Sequence, residues 1–309
     1  MNKKLLLFWQ NTETRRWFTV GLLEFINNEY SFKYSKSAHK AHLAGDFIPF
    51  GVMRDFNKTY TSKTLFPLFK NRLLDKSRPE YAEYLDWLGL SKETASDMDE
   101  LSRSGGVRAT DQLQILPYPE KSPSGKYCVD FFVHGIRHLN KEGANKVSQL
   151  SDGEKLLLIK EDSNQFDSLA LAVSTPPAPV IIGYCPRFFA KDFRELLELN
   201  EEFKTIQLFV SQVNMDAPLQ YRLRCRLEAV WPDDFSTFAD EEFGVLSFGL
   251  TRATALQAWQ NGDISLGKMA ELLKMEKQEL RSVLANINLP VIDTDEQDAI
   301  EEARQLLGS

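Results

Sequence analysis

Histidine and cysteine are scarce in this chain, four and three residues respectively among 309. His134 and His138 are four apart, but Gly135 and the strand-like context between them do not give a helical metal pair, and no Cys-x-x-Cys occurs. Cys128, Cys185 and Cys225 are odd in number and far apart, so a disulfide framework is not expected and a reducing cytoplasm is. No apolar run reaches the roughly 18 residues of a membrane span, so no membrane role is expected. The opening MNKKLLLFWQ has two lysines and a short apolar run, yet Gln10 and Asn11 end it and no small-residue cleavage site follows. It reads as a first β-strand. No Gly-x-Ser-x-Gly elbow is present. Residues 262–269, GDISLGKM, keep a phosphate-loop spacing as far as Lys268, but Met269 stands where a magnesium-binding hydroxyl belongs, and a helix precedes it. Neither a catalytic set nor a cofactor or metal is expected, and the chain reads as a non-enzyme.

Basic charge is also short overall, with a net charge of −7. Its distribution matters more. The balance is +2 over residues 1–100, +1 over 101–125, −1 over 126–232 and −9 over 233–309. Phosphate binding is therefore compatible with the first three-quarters and disfavoured in the tail.

What is present is a mixed pattern. LLLFW, WFTVGLL and EYSFKY, separated by polar turns, predict a small antiparallel sheet. From Ser62 onward, Leu65, Phe66, Phe69, Leu73 and Leu74 fall at helical spacing until Pro79; YAEYLDWLGL then predicts a short helix capped at Gly89. Residues 91–126, with a helical patch at SDMDELSRSGG and glycine breaks around DQLQILPYP, read as a connector. From Tyr127 the strands return: YCVDFFVHGIRHL, GEKLLLIKED, LALAV and VIIGYCP, then the helix FFAKDFRELLELN, then TIQLFVSQV and YRLRCRLEAVW. Short strands with one or two helices at this size suggest a small barrel. TRATALQAWQNG, SLGKMAELL and KQELRSVLANI predict three short helices before an acidic end.

The middle block, residues 127–232, resembles the HIRAN domain. The pieces run in order, FFVHGIRHL, LSDGEKLLLIKEDSNQFDSLALAV and IIGYCPRFFAKDFRELL, and keep Gly135, Arg137, Asn164, Asp167, Ala170, Val173, Gly183 and Pro186. The resemblance implies an OB/SH3-like β-barrel whose pocket grips the 3′ end of single-stranded DNA. By position it implies that Arg137 and His138 approach a phosphate and a base, and that Phe166 stacks on the terminal base. Asp167 then accepts from the 3′ hydroxyl beside Asn164, and Tyr184 meets the backbone. The chemistry is coherent on its own: an aromatic face stacks any base, and guanidinium forks match phosphate oxygens. A carboxylate accepts from a free hydroxyl and repels a phosphate in its place. Phe166 stands where eukaryotic relatives carry tyrosine, and His138 also replaces an aromatic.

Residues 1–90 resemble the first subdomain of HipA-type toxin kinases, through WFTVGLLEF, YSFKY, PFG and LFPLFKNRLLDKSRPEYAEYLDWLGL; the kinase body is absent. Residues 246–309 resemble a small antitoxin family with a helix-turn-helix-like core of Leu256, Trp259, Leu266, Met269, Leu273, Leu280 and Leu284, with Lys277, Gln278 and Arg281 outward. The acidic balance favours protein binding or dimerisation there over DNA. The expectation is an α+β chain of N-terminal sheet with helices, HIRAN barrel and three-helix tail. It is expected to recognise single-stranded DNA 3′ ends without catalysis, in bacterial defence or DNA repair. The alternative is an antitoxin-like or scaffold protein that binds a HipA-type kinase or other effector through its N-terminal and acidic C-terminal regions.

Overall fold

The computed structural model describes residues 3–165, 167–199, 206–238, 259, 265–273 and 275–286. The chain divides into two units, Met1–Val245 and Leu246–Ser309.

The first unit opens with a five-stranded antiparallel sheet of order β4-β3-β2-β1-β5. Its strands are β1 (Lys3–Gln10), β2 (Trp17–Ile26), β3 (Glu29–Tyr34), β4 (Tyr60–Ser62) and β5 (Leu113–Pro117). The unbroken LLLF of β1 has a physical cause: this strand is covered on both faces, so it needs no polar alternation. Leu5 and Leu7 join a core with Phe32, Phe69, Met98 and Leu101. Phe8 instead packs on Phe188, with ring centroids 4.5 Å apart, and on Phe238 at 5.8 Å. Around the sheet lie α1 (Lys36–Leu43), α2 (Pro67–Lys70), α3 (Tyr81–Leu88) and α4 (Asp97–Ser104). Ser35 caps α1 by accepting from the Ala38 amide, and Ser96 with Asp99 forms a reciprocal capping box on α4.

Two sequence expectations are corrected here. The helical spacing from Ser62 yields only the four-residue α2, and Ser62 itself ends a strand paired with β3. Leu73 and Leu74 pack in two different clusters, so the segment turns rather than presenting one helical face. The stretch read as a connector supplies α4 and the sheet's fifth strand, because β5 pairs with β1 from Leu5↔Pro117 to Trp9↔Leu113.

The second sheet has six strands in the order β6-β11-β10-β7-β8-β9. They are β6 (Lys126–Phe132), β7 (Lys155–Lys160), β8 (Leu171–Ser174), β9 (Ile181–Tyr184), β10 (Gln207–Val213) and β11 (Leu223–Val230). Helix α5 (Lys141–Val147) precedes β7, and the strongly amphipathic α6 (Arg187–Leu199) follows β9. The sheet curls until its ends meet. The His134 amide donates to the Tyr184 carbonyl at 2.8 Å and the Tyr184 amide returns the bond at 2.9 Å, joining the chain just beyond β6 to β9. The result is a barrel-like fold. Gly183 makes the junction possible: at φ +140° a β-carbon there would lie 2.3 Å from Val133 Cγ1 and 2.6 Å from the His134 carbonyl oxygen.

The two sheets are firmly joined within this unit. Tyr221 packs against Tyr84 of α3 and Phe132 of β6, and Asn214 Nδ2 donates to the Trp87 carbonyl at 2.9 Å. Arg103 of α4 pairs with Asp130 of β6 at 3.0 Å. In the second unit, α7 (Leu266–Leu273) and α8 (Lys277–Asn286) bury Leu266, Met269, Leu280 and Leu284 together, with Trp259 against them. The first expected tail helix, apart from Trp259, lies outside the described residues. No helix among the described residues is long and apolar enough to cross a membrane.

Candidate nucleic-acid interface

Three short segments converge at the barrel's closing seam. The first follows β6: Gly135 takes a left-handed conformation (φ +76°) and turns the chain into a 3-10 turn, Ile136–His138. The second is the loop between β7 and β8. The third is the junction from β9 through Cys185 into the first turn of α6. Between them opens a cleft of about 670 Å3 lined by His134, His138, Asn164, Asp167, Tyr184 and Arg187.

Hydrogen bonds tie together the described residues of the β7–β8 loop. Asn164 Oδ1 accepts from the Asp167 amide at 3.1 Å, while its Nδ2 donates to Glu161 Oε2 at 2.9 Å. Asp167 Oδ1 accepts from the Leu169 amide at 3.0 Å. Arg194 of α6 clamps the loop's far side: it donates to the Leu169 and Ala170 carbonyls at 2.9 and 3.0 Å and pairs with Asp162 at 2.6 Å. Asn164 and Asp167 therefore shape the turn and line the cleft at once, which is how short polar side chains commonly serve in loops.

Four of the six residues expected from the sequence line this cleft: His138, Asn164, Asp167 and Tyr184. Arg137 does not line it; the side chain is exposed, and its Nε donates to His138 Nε2 at 2.9 Å. Phe166 lies outside the described residues. The Tyr184 hydroxyl donates to Glu161 at 3.3 Å, and burial, then the neighbouring Glu161 charge, pushes its pKa up. The Cys185 thiol behind it is held far above its ordinary range by burial, so it stays protonated and is no nucleophile.

Sequence reasoning missed three contributors. Glu161 joins Asn164 to Tyr184, Arg187 adds an exposed cation to the wall, and Arg194 holds the loop from behind. Glu161 is three residues before Asn164, and that spacing within a polar hairpin loop was the available signal. Nothing local marks Arg194, which acts from the next helix. Among the described residues no three His, Cys, Asp or Glu side chains gather as a metal site. The cleft presents groups suited to binding. It offers a half-buried aromatic hydroxyl, amide and carboxylate oxygens, an imidazole and a guanidinium, all in one concavity.

Comparison with known proteins places this barrel. Residues 126–230 match the family model described as the HIRAN domain. This segment is a HIRAN domain. Residues 226–307, overlapping the end of the HIRAN domain and running through the tail, match an uncharacterised protein family, UPF0175. Among solved structures, a protein from Lactobacillus plantarum shares 22% identity, with 34% of this chain and 97% of that one covered and a TM-score of 0.27. The HIRAN domain of human HLTF shares 14% identity over 35% of this chain and 81% of that one, with a TM-score of 0.25. No curated protein matches the chain.

Proposed function

We propose that the HIRAN cleft binds nucleic acid and recognises the 3′ end of a single DNA strand, without catalysis. One observation carries this reading: Asn164, Asp167 and Tyr184, taken from two separate segments, share one cleft with His138 and Arg187. Asp167 spends Oδ1 on the Leu169 amide, and Oδ2 has no bond to a described residue, so it can accept from a terminal hydroxyl. A 3′ phosphate in the same place meets that carboxylate as a like charge. Arg187 at the wall and Arg137 at the rim are cations suited to the phosphates that precede the terminal nucleotide. The His138 ring offers a stacking surface that any base accepts, and Phe166 is assigned the terminal base on the same grounds.

The test is fluorescence anisotropy with three oligonucleotides of equal length, one with a free 3′ hydroxyl, one with a 3′ phosphate and one a blunt duplex, at two salt concentrations. Preference for the free 3′ hydroxyl is expected, and Asp167→Ala is expected to erase it while phosphate contacts keep some affinity. Equal binding of hydroxyl and phosphate ends by the unaltered protein would remove the end-reading role.

The −9 balance over residues 233–309 favours a second role for the tail, as a protein-binding segment. A stoichiometric complex recovered with the full chain and lost when residues 246–309 are deleted is the expected result; an unchanged complex refutes it.

A further inference from the structure

A second groove, of about 580 Å3, opens on the first sheet between the start of β2 and α1. Arg16, Trp17, Ser37 and Lys40 line it, and Asp46 is its one carboxylate. Asp46 Oδ1 accepts from Asn11 Nδ2 at 3.2 Å. Arg16 and Lys40 are exposed and have no ion pair among the described residues, and the Arg16 guanidinium lies 5.5 Å over the Phe18 ring. The β1–β2 turn that presents Arg16 is tightly determined. Asn11 Oδ1 accepts from the Glu13 and Thr14 amides at 2.8 and 2.9 Å, and the Asn11 carbonyl accepts from the Arg15 amide at 3.0 Å. Arg15 is held there at φ +60°, a left-handed conformation that an arginine enters only against a steric cost. Two adjacent exposed arginines thus project from a turn that its own hydrogen bonds keep in one shape.

This groove is coupled to the barrel. Trp17 meets Phe188 edge-on, with ring centroids 4.9 Å apart, and Phe188 directly follows Arg187, whose side chain lines the cleft at the closing seam. One turn of α6 therefore carries a wall of the first cavity and a support of the second.

We infer that the groove is a second contact for the same single strand, taking the sugar-phosphate backbone some nucleotides inward from the end that the cleft holds. The inference rests on the end-binding reading for the identity of its ligand. Guanidinium forks from Arg15 and Arg16 and the Lys40 ammonium receive phosphate oxygens. The half-buried Trp17 indole gives a ribose or base an apolar wall. Asp46 is the one carboxylate among the residues that line the groove, and its bond to Asn11 ties it to the turn. A strand fixed at two separated points binds with an effective concentration that a strand reaching only one point lacks.

The experiment uses the full chain and the double variant Arg16→Glu, Lys40→Glu. Both side chains are exposed, and an unfolding midpoint equal to that of the parent confirms an intact fold. Anisotropy is measured with oligonucleotides of about 5 and about 20 nucleotides, lengths that bracket what a small barrel alone occupies. Each length carries a 3′ hydroxyl or a 3′ phosphate. The parent is expected to bind the long strand at least about tenfold more tightly than the short one. The double variant is expected to lose most of that advantage and to keep short-strand affinity and hydroxyl preference. Its dependence of log affinity on log salt should be shallower by about 1.4, about 0.7 for each of two lost phosphate contacts. Unchanged long-strand affinity in the variant overturns the groove. Loss of long-strand affinity in a protein that ignores the end chemistry supports the groove and refutes the end reading. No binding of any oligonucleotide by the parent overturns both.

Discussion

Asp192 offers the sharpest quantitative prediction. It lies on α6 with 2% of its surface exposed. Its carboxylate accepts from the Tyr127 hydroxyl at 3.3 Å, from the Thr237 hydroxyl and from the Phe238 amide at 3.0 Å, fastening the 237–238 segment to the barrel. Burial outweighs those donors and lifts the carboxyl from an ordinary 3.8 to about 6. The folded protein thus holds this proton over a range in which the unfolded chain has released it. Its contribution to stability is complete below about pH 4 and is lost as the pH rises through about 6, the reverse of a salt-bridged carboxylate. A shift of about two pKa units corresponds to roughly 3 kcal/mol at full extent, and about 2 kcal/mol of it falls between pH 4.5 and 7.5. Asp192→Asn removes the titration and keeps the shape. Its amide oxygen accepts from Phe238, and its NH2 donates to the hydroxyl oxygens of Tyr127 or Thr237. Urea unfolding at the two pH values reads the effect, with fluorescence of Trp231 as a local probe because its ring lies 5.6 Å from that of Tyr127. The parent should lose about 2 kcal/mol relative to Asp192→Asn on going to the higher pH. Parallel profiles for the two proteins would show that the carboxyl titrates as if in water, and the burial argument would fail.

Gly183→Ala forces a β-carbon into Val133 and the His134 carbonyl at a backbone angle nearly exclusive to glycine; a loss of about 2–5 kcal/mol is expected in thermal unfolding, and an unchanged melting temperature would refute closure at this seam. Phe188→Ala removes a buried ring held by Phe8 and Trp17, and calorimetry should register about 3–5 kcal/mol; a loss below about 1 kcal/mol would mean that the first sheet does not lean on α6. Tyr184→Phe deletes one hydroxyl whose partner, Glu161, keeps its bond to Asn164. Stability should fall by less than about 1.5 kcal/mol while oligonucleotide affinity drops several-fold; unaltered affinity takes Tyr184 out of the interface.

The local elements were legible because their causes are local. Gly89 ends α3 at φ +64° as a left-handed cap, and the helix of FFAKDFRELLELN lies where its apolar period placed it. The strands of the barrel were visible for the same reason, each being a short apolar or alternating run between turn residues. The segment after Ser62 was misread because periodicity reports spacing, not destination. Leu73 and Leu74 are adjacent in the chain yet belong to different cores, and only the packed structure assigns them. DQLQILPYP was read as connector since a five-residue strand without strict alternation is indistinguishable from a loop until its partner, β1, is known.

By itself the sequence determined the class of the chain, the position of the HIRAN segment and the acidic imbalance of the tail. It also named four of the residues that line the cleft. Composition, patterning and turn chemistry carry the class and the charge imbalance, whereas the HIRAN position and the four cleft residues come from the resemblance of ordered motifs to a known family. Tertiary structure alone decided that the sheet curls until His134 bonds Tyr184, that Arg137 turns to His138 at the rim, and that Glu161 and Arg194 brace the binding loop. It also brought Trp17, some 170 residues away in sequence, onto Phe188 beside the cleft. Apart from the bonds of Arg137 to His138 and of Glu161 to Asn164, those contacts join residues well separated in the chain, and their energies depend on burial and orientation that exist only once the barrel has closed and the first sheet has packed on α6.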